Sequence, residues 1–307
     1  NDAPTGTVTI SGTAQQGRTL TAAHTLADVD GLGAISYTWM AGETVLGTGA
    51  SLLLGQTHVG QAITVMASYT DGFNTPESKV SAVTVAVVNV NDAPTGSVTI
   101  VGTAEQGRTL TAGNTLADVD GLGAISYTWK AGETVLGTGG SLVLGQTHVG
   151  QVITVTASYV DGFNTPESLI SSATVAVANV NDAPTGTVTI SGTAQQGRTL
   201  TAAQTLADVD GLGAISYTWK AGETVLGTGA SLLLGQTHVG QAITVTASYV
   251  DGFGAAESLV SSATLAVVNA NDAPTGTVTI NGTAEQGRTL TAGNTLADVD
   301  GLGAISY

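Results

Sequence analysis

The segment Asn-Asp-Ala-Pro-Thr-Gly returns at Asn1, Asn91, Asn181 and Asn271, which gives the chain a period of about ninety residues and constrains everything else that can be said of it. Roughly four positions in five are identical between the first copy and the second. That period is too long for an ankyrin, leucine-rich or tetratricopeptide unit and matches a small all-β sandwich. The spacing divides the chain into 1–90, 91–180 and 181–270, followed by 271–307 as the amino-terminal part of a fourth repeat. That last piece is too short to bury a core by itself.

Within the first repeat the pattern is one of short strands and turns. Thr7-Val8-Thr9-Ile10 alternates, a Gly/Gln loop follows over 12–17, and 18–22 reads as a second strand. Ile35, Tyr37 and Trp39 share one face of a third strand, because successive side chains on a strand point to opposite sides. Short strands are expected at 45–46 and 51–54 and a helical-turn corner at 56–60. A long strand over 62–69 then turns Ile63, Val65, Ala67 and Tyr69 inward. The last strand is expected through Val80, Val83, Val85 and Val87. Seven or so such strands without an amphipathic helix predict tandem immunoglobulin-like β-sandwiches in an elongated rod, three of them spanning on the order of 100 Å. A parallel β-helix would need coils of about twenty residues, and no such sub-period is present.

Charge is the next constraint. Seven Lys plus Arg stand against 23 Asp plus Glu, for a net charge of −16, which argues against nucleic acid or an anionic membrane as partner. No apolar run reaches the roughly 20 residues of a spanning helix. Cysteine is absent, so small domains here cannot be stapled by disulfides.

The acids are not scattered. In the immunoglobulin-like topology the entry segment, the loop after the second strand and the loop before the last strand lie at one pole, so Asp2, Asp28, Asp30, Asp71 and Glu77 converge there. Like charges at such spacing repel by about 1 kcal/mol or more per pair, and almost no lysine or arginine is available to offset them. Hard oxygen donors without thiolate or imidazole suit Ca²⁺. The linker then shares the site between repeats: Asn91 and Asp92 meet Asp118, Asp120, Asp161 and Glu167, and Asn181 and Asp182 meet Asp208, Asp210, Asp251 and Glu257. Asn271, Asp272, Asp298 and Asp300 begin the same set again. Asp-Gly and Asn-Asp are also good turn formers, so each single aspartate has a purely local reading. His58, His148 and His238 recur at the helical corner with no nucleophile or acid in a recognisable motif, and a local capping role is expected rather than catalysis.

Leu26-Ala27-Asp28-Val29-Asp30-Gly31-Leu32-Gly33-Ala34-Ile35-Ser36-Tyr37-Thr38-Trp39, the later Thr57-His58-Val59-Gly60 and Tyr69-x-Asp71-Gly72, and the linker Val88-Asn89-Val90-Asn91-Asp92-Ala93-Pro94 together resemble the tandem immunoglobulin-like, cadherin-like repeats of giant bacterial surface adhesins of the type I secreted kind. Asn89 departs from the cadherin linker, which has an acid there. The resemblance implies an extracellular, calcium-stiffened stalk at a bacterial cell surface, with neighbouring repeats of the same chain as its main partners, no enzymatic activity, and adhesion itself left to other domains. Two other functions fit the pattern: a filament subunit whose 271–307 segment completes another copy by strand addition, and a carbohydrate-binding module using Trp39, Trp129 and Trp219.

Overall fold

A computed structural model describes all residues, 1–307, and divides the chain into two compact units, Asn1–Ala178 and Asn179–Tyr307. The first repeat forms β1 (Val8–Ser11), β2 (Thr19–His24), β3 (Ser36–Ala41), β4 (Thr44–Thr48), β5 (Ser51–Leu53), β6 (Thr64–Thr70) and β7 (Pro76–Val80), with a single 3-10 turn at Gln56–His58. One sheet has the order β1-β2-β5 and the other β4-β3-β6-β7, all antiparallel. The second repeat, in the same unit, repeats this from β8 (Val98–Val101) through β9 (Thr109–Asn114), β10 (Ser126–Ala131), β11 (Thr134–Thr138), β12 (Ser141–Val143) and β13 (Thr154–Val160) to β14 (Pro166–Ile170). In the other unit the same seven strands recur between Val188 and Val260, and Val278–Asn281 pairs with Thr291–Asn294 as a two-stranded ribbon. These are the immunoglobulin-like β-sandwiches that the sequence predicts.

Alternation explains the core. Ile63, Val65 and Ala67 are fully buried and Tyr69 nearly so, with Trp39 buried opposite them on the neighbouring strand β3. Leu20, Leu54 and Val87 close the cluster from the facing sheet and the chain's exit. Each complete repeat has its own cluster of this kind. The Trp39 indole N–H does not go unpaired in the apolar interior: it donates to the Gly49 carbonyl at 2.9 Å. Because Trp39, Trp129 and Trp219 are all fully buried, none presents a face to a sugar.

The last strand differs from expectation. β7 begins at Pro76, so Glu77 lies opposite Tyr69 in the ladder rather than in the preceding loop, and regular pairing stops at Val80. Beyond it, hydroxyls enter the ladder: the Val65 and Ile63 N–H groups donate to Ser81 Oγ at 3.0 Å and Thr84 Oγ1 at 2.9 Å. Ser and Thr side chains compete with the backbone in this way. Val83 and Val85 consequently face solvent and only Val87 returns to the core. Tyr69, inward-facing near the end of β6, donates its hydroxyl to Asp28.

Asn74 (φ 69°) and Asn164 (φ 67°) adopt the left-handed conformation in the loop before the last strand, where the third repeat has Gly254 (φ 93°). Asn is one of the few residues that enter this region at low cost. Asn74→Gly is therefore expected to leave stability within about 0.5 kcal/mol, and Asn74→Val to lower it by more than about 1 kcal/mol, in denaturant melts.

Candidate functional site: the acidic pole and the linker that meets it

Three loops place the acids. Asp28 sits where β2 hands over to the glycine turn, and its carboxylate Oδ1 accepts the Asp30 N–H at 2.8 Å, an Asx turn that pulls the two carboxylates to the same end of the sandwich. Asp71 is nearly buried, and its Oδ1 accepts the N–H groups of Phe73 at 2.9 Å and Thr75 at 2.7 Å. The two loops are stitched together where the Gly72 N–H donates to the Asp30 carbonyl at 3.0 Å. The entry segment joins them: the Asp2 N–H donates to Asp30 Oδ2 and the Asn1 amide to Glu77 Oε1, both at 2.7 Å. Asp2, Asp28, Asp30, Asp71 and Glu77 are thus brought to one pole, as their spacing predicts.

The second repeat builds the same pole with the linker in place of a chain start. The Asp92 N–H donates to Asp120 Oδ2 at 2.7 Å, the Asn91 amide to Glu167 Oε1 at 2.6 Å, and the Asp120 N–H to Asp118 Oδ1 at 2.8 Å. Asp161 Oδ1 again holds two backbone N–H groups. In the other unit, Asn181 donates to Glu257, the Asp182 N–H to Asp210, and the Asp210 N–H to Asp208, while Asp251 clasps its own loop. The Asp272 N–H meets Asp300 and the Asp300 N–H meets Asp298; Asn271 donates to the Asp272 carbonyl instead of to a glutamate.

The repulsion anticipated from counting charges is offset largely by the chain's own donors. The two ion pairs, Arg108–Glu105 and Arg288–Glu285, lie in the loop after the first strand of their repeats and do not touch these acids. What reaches the carboxylates instead is a set of backbone N–H groups, amides and one phenol per complete repeat. Tyr69 donates to Asp28 Oδ2 at 2.5 Å, the length of a charge-assisted O–H···O⁻ bond, and Tyr159 and Tyr249 do the same to Asp118 and Asp208.

Burial first, and then the hydrogen bond to the adjacent carboxylate, hold these three phenols well above the usual tyrosine range. The unfolded chain releases its phenolic protons near pH 10 while the folded one keeps them, so this contribution is complete below about pH 10 and is lost as the pH rises above it. Thermal melts taken from about pH 8 to about pH 11 should fall steeply at the alkaline end, and the triple variant Tyr69→Phe/Tyr159→Phe/Tyr249→Phe should fall less steeply from a lower starting point. Parallel curves for the two proteins would contradict the assignment.

Two glutamines are the residues that the sequence does not single out. Gln16 Nε2 donates to Asp92 Oδ2 at 2.7 Å while its Oε1 accepts the Val90 N–H at 3.1 Å. Gln56 Nε2 donates to Asp120 Oδ1 at 2.9 Å. A backbone contact adds to them, the Gln16 N–H donating to the Val88 carbonyl at 3.0 Å. With the first repeat standing over it, Asp120 is 4% exposed, whereas Asp30 is only half-buried. Repetition is the signal that could have found them: Gln16 recurs as Gln106, Gln196 and Gln286, and Gln56 as Gln146 and Gln236, while neighbouring Gln15 is replaced by Glu105. His58 serves the same turn. The Gly55 N–H donates to its Nδ1 at 2.8 Å, which is the local capping role expected of it. The variable position His24, Asn114 and Gln204 shares one property, a side-chain acceptor for the N–H two residues on.

A hard cation fits this donor set in its chemistry, because the available groups are oxygens. One carboxylate oxygen per complete repeat is also left over, Asp71 Oδ2, Asp161 Oδ2 and Asp251 Oδ2 being buried with no hydrogen-bond partner, alongside amide oxygens such as Gln56 Oε1 and Asn89 Oδ1. Nowhere, however, do three acidic or imidazole side chains gather around one point closely enough to hold an ion.

No protein-family model and no curated protein matches the chain. Among solved structures it is similar to a Ca²⁺-stabilized adhesin that helps an Antarctic bacterium reach out and bind ice, at 17% identity over 91% of this chain and 78% of that one, with a TM-score of 0.31. A tetra-tandem repeat from the extending region of a large adhesion protein aligns at 18% identity over 96% of this chain and 88% of that one, with a TM-score of 0.29. The D1–D4 ectodomain fragment of ICAM-5 aligns at 15% identity over 85% and 75%, with a TM-score of 0.37.

Proposed function

We propose that the chain is a structural extender of a bacterial surface adhesin outside the cell, with repeats divided at 90/91, 180/181 and 270/271, and that within each compact unit a repeat is coupled to the next through the acidic pole. The observation that carries this reading is the linker contact itself. Gln16 grips Val90 and Asp92, and in the other unit Gln196 grips Ala270 and Asp272 with matching atoms. A linker that only tethered two domains would need no side chain from the preceding sandwich to hold its backbone. The adhesin-like linker and strand-entry residues support the same reading. No catalytic arrangement competes with it, since the recurring histidine is engaged as a turn cap.

Calcium at the poles is part of the proposal. The ligands would come from Asp28, Asp30, Asp71 and Glu77 with Asn1 and Asp2 in the first repeat, and from the corresponding residues of the later ones, with the unpartnered oxygens of Asp71, Asp161 and Asp251 as the open positions. Bound there, Ca²⁺ would supply charge neutralisation and fix the loops against the linker. At affinities of about 10⁻⁴–10⁻³ M, typical of extracellular modules, a few millimolar calcium adds on the order of 1–2 kcal/mol per site. Melting the full chain in calcium and in chelator tests this: a higher melting temperature with calcium is expected, and identical melts would remove calcium from the account.

A further inference from the structure

The contacts of Gln16 and Gln56 fall on carboxylates that the calcium reading also requires. Asp92 Oδ2 takes Gln16 Nε2, Asp120 Oδ1 takes Gln56 Nε2, and Asp120 Oδ2 takes the Asp92 N–H. Asp120 thereby accepts a hydrogen bond at each oxygen in a place that water scarcely reaches. Neither glutamine is free to wander. Gln16 is tied at its other end to the Val90 N–H, and Gln56 opens the turn that the His58 imidazole caps.

A dication that joins this arrangement meets amide donors already aimed at its oxygens. Calcium draws its oxygens to about 2.3–2.6 Å, and an amide N–H aimed at the same oxygen carries its positive end toward the ion. In a site with little water that repulsion is poorly screened. We infer that Gln16 and Gln56 form a clamp that closes the junction without metal, and that a cation entering at Asp92 and Asp120 competes with it for these carboxylates. The clamp therefore makes the junction an ordered structure in low calcium and weakens, rather than creates, its affinity for the ion. At the linker over 268–272 the first half of the clamp recurs, Gln196 holding Asp272 and the Ala270 N–H, while Asp300 Oδ1 has no second glutamine on it.

The competition half of this inference rests on the calcium reading, and the clamp half does not, so the test has two arms on the full chain. In chelator, the Val90 N–H should be protected from hydrogen exchange, and Gln16→Ala should speed its exchange at least about tenfold by removing its acceptor. Gln15→Glu, which copies Glu105 of the second repeat, should leave it unchanged and controls for damage to the loop. A Val90 N–H that exchanges at the open-chain rate in the unaltered chain overturns the clamp. Calcium titration calorimetry forms the second arm. Gln16→Ala/Gln56→Ala should bind calcium several-fold more tightly, and equal or weaker binding overturns the competition. If neither protein binds calcium, the calcium proposal and the competition fall together, while the Val90 exchange still decides the clamp.

Discussion

Trp129→Ala is expected to cost the second sandwich about 3–5 kcal/mol, the range for deleting a fully buried aromatic from a packed core. The indole is 0% exposed, and it lies on β10 directly opposite Val155 of the long strand β13. Alanine leaves a void that the surrounding backbone ladders cannot collapse into, and it strands the Gly139 carbonyl that the indole N–H satisfies at 2.9 Å. A domain of this size has about 5–15 kcal/mol to lose, so the substitution consumes a large part of its stability. Because each complete repeat has a separate core, the loss should stay local. Calorimetry should show one transition moving far down in temperature while another remains near its original place. A uniform small shift of the whole melt would show that the cores are not independent.

Gly123→Ala is expected to be nearly as damaging for a different reason. A Cβ at this position would stand 2.0 Å from the Val160 carbonyl oxygen and 3.2 Å from its carbon. The obstacle is backbone, so no rotamer change relieves it, and either the loop or the end of β13 must move. Overpacking of this kind costs about 1–3 kcal/mol and at times more; the rigidity of both partners places this case at or above the top of that range. Val160 is followed by Asp161, whose carboxylate organises the loop through Phe163 and Thr165. The acidic pole should therefore loosen before the core does. Faster hydrogen exchange at Phe163 and Thr165, together with a lowered denaturation midpoint, is the expected pattern. Gly33→Ala should behave alike, since its Cβ would meet the Thr70 carbonyl at 2.1 Å. A loss under about 0.5 kcal/mol at both positions would mean that the loop is softer than its contacts imply.

Much of this molecule is legible in its residues because period-two alternation maps directly onto burial. Ile63, Val65, Ala67 and Tyr69 face inward for that reason alone, and the repetition of sequence returns as a repetition of the same strand order. The acids are legible as a group, because topology brings their loops to one end whatever their side chains do there. Less legible is what satisfies them. Counting Lys and Arg against Asp and Glu leaves out the backbone N–H groups of Asp2, Asp30, Phe73 and Thr75 and the phenol of Tyr69, all of which donate to carboxylates. Gln16 escapes notice because a glutamine in a Gly-bearing loop reads as an ordinary turn residue. Its partners lie 74 and 76 positions away, beyond any local pattern. The end of the last strand is hidden for a related reason: Val83 and Val85 look like ladder residues, but the hydroxyls of Ser81 and Thr84 take the strand's partners first.

The account turns on whether the linker between the first two repeats is held in one geometry. The chain has no cysteine, so Val45→Cys and Val135→Cys, at exposed positions on β4 and β11, give two sites for spin labels and no others. The distance distribution between them, measured by pulsed electron double resonance, should be a single narrow peak in the unaltered linker and should broaden when Gln16→Ala and Gln56→Ala are added. A broad distribution in the unaltered linker, with calcium and without it, would contradict the claim that the junction is a fixed structural element.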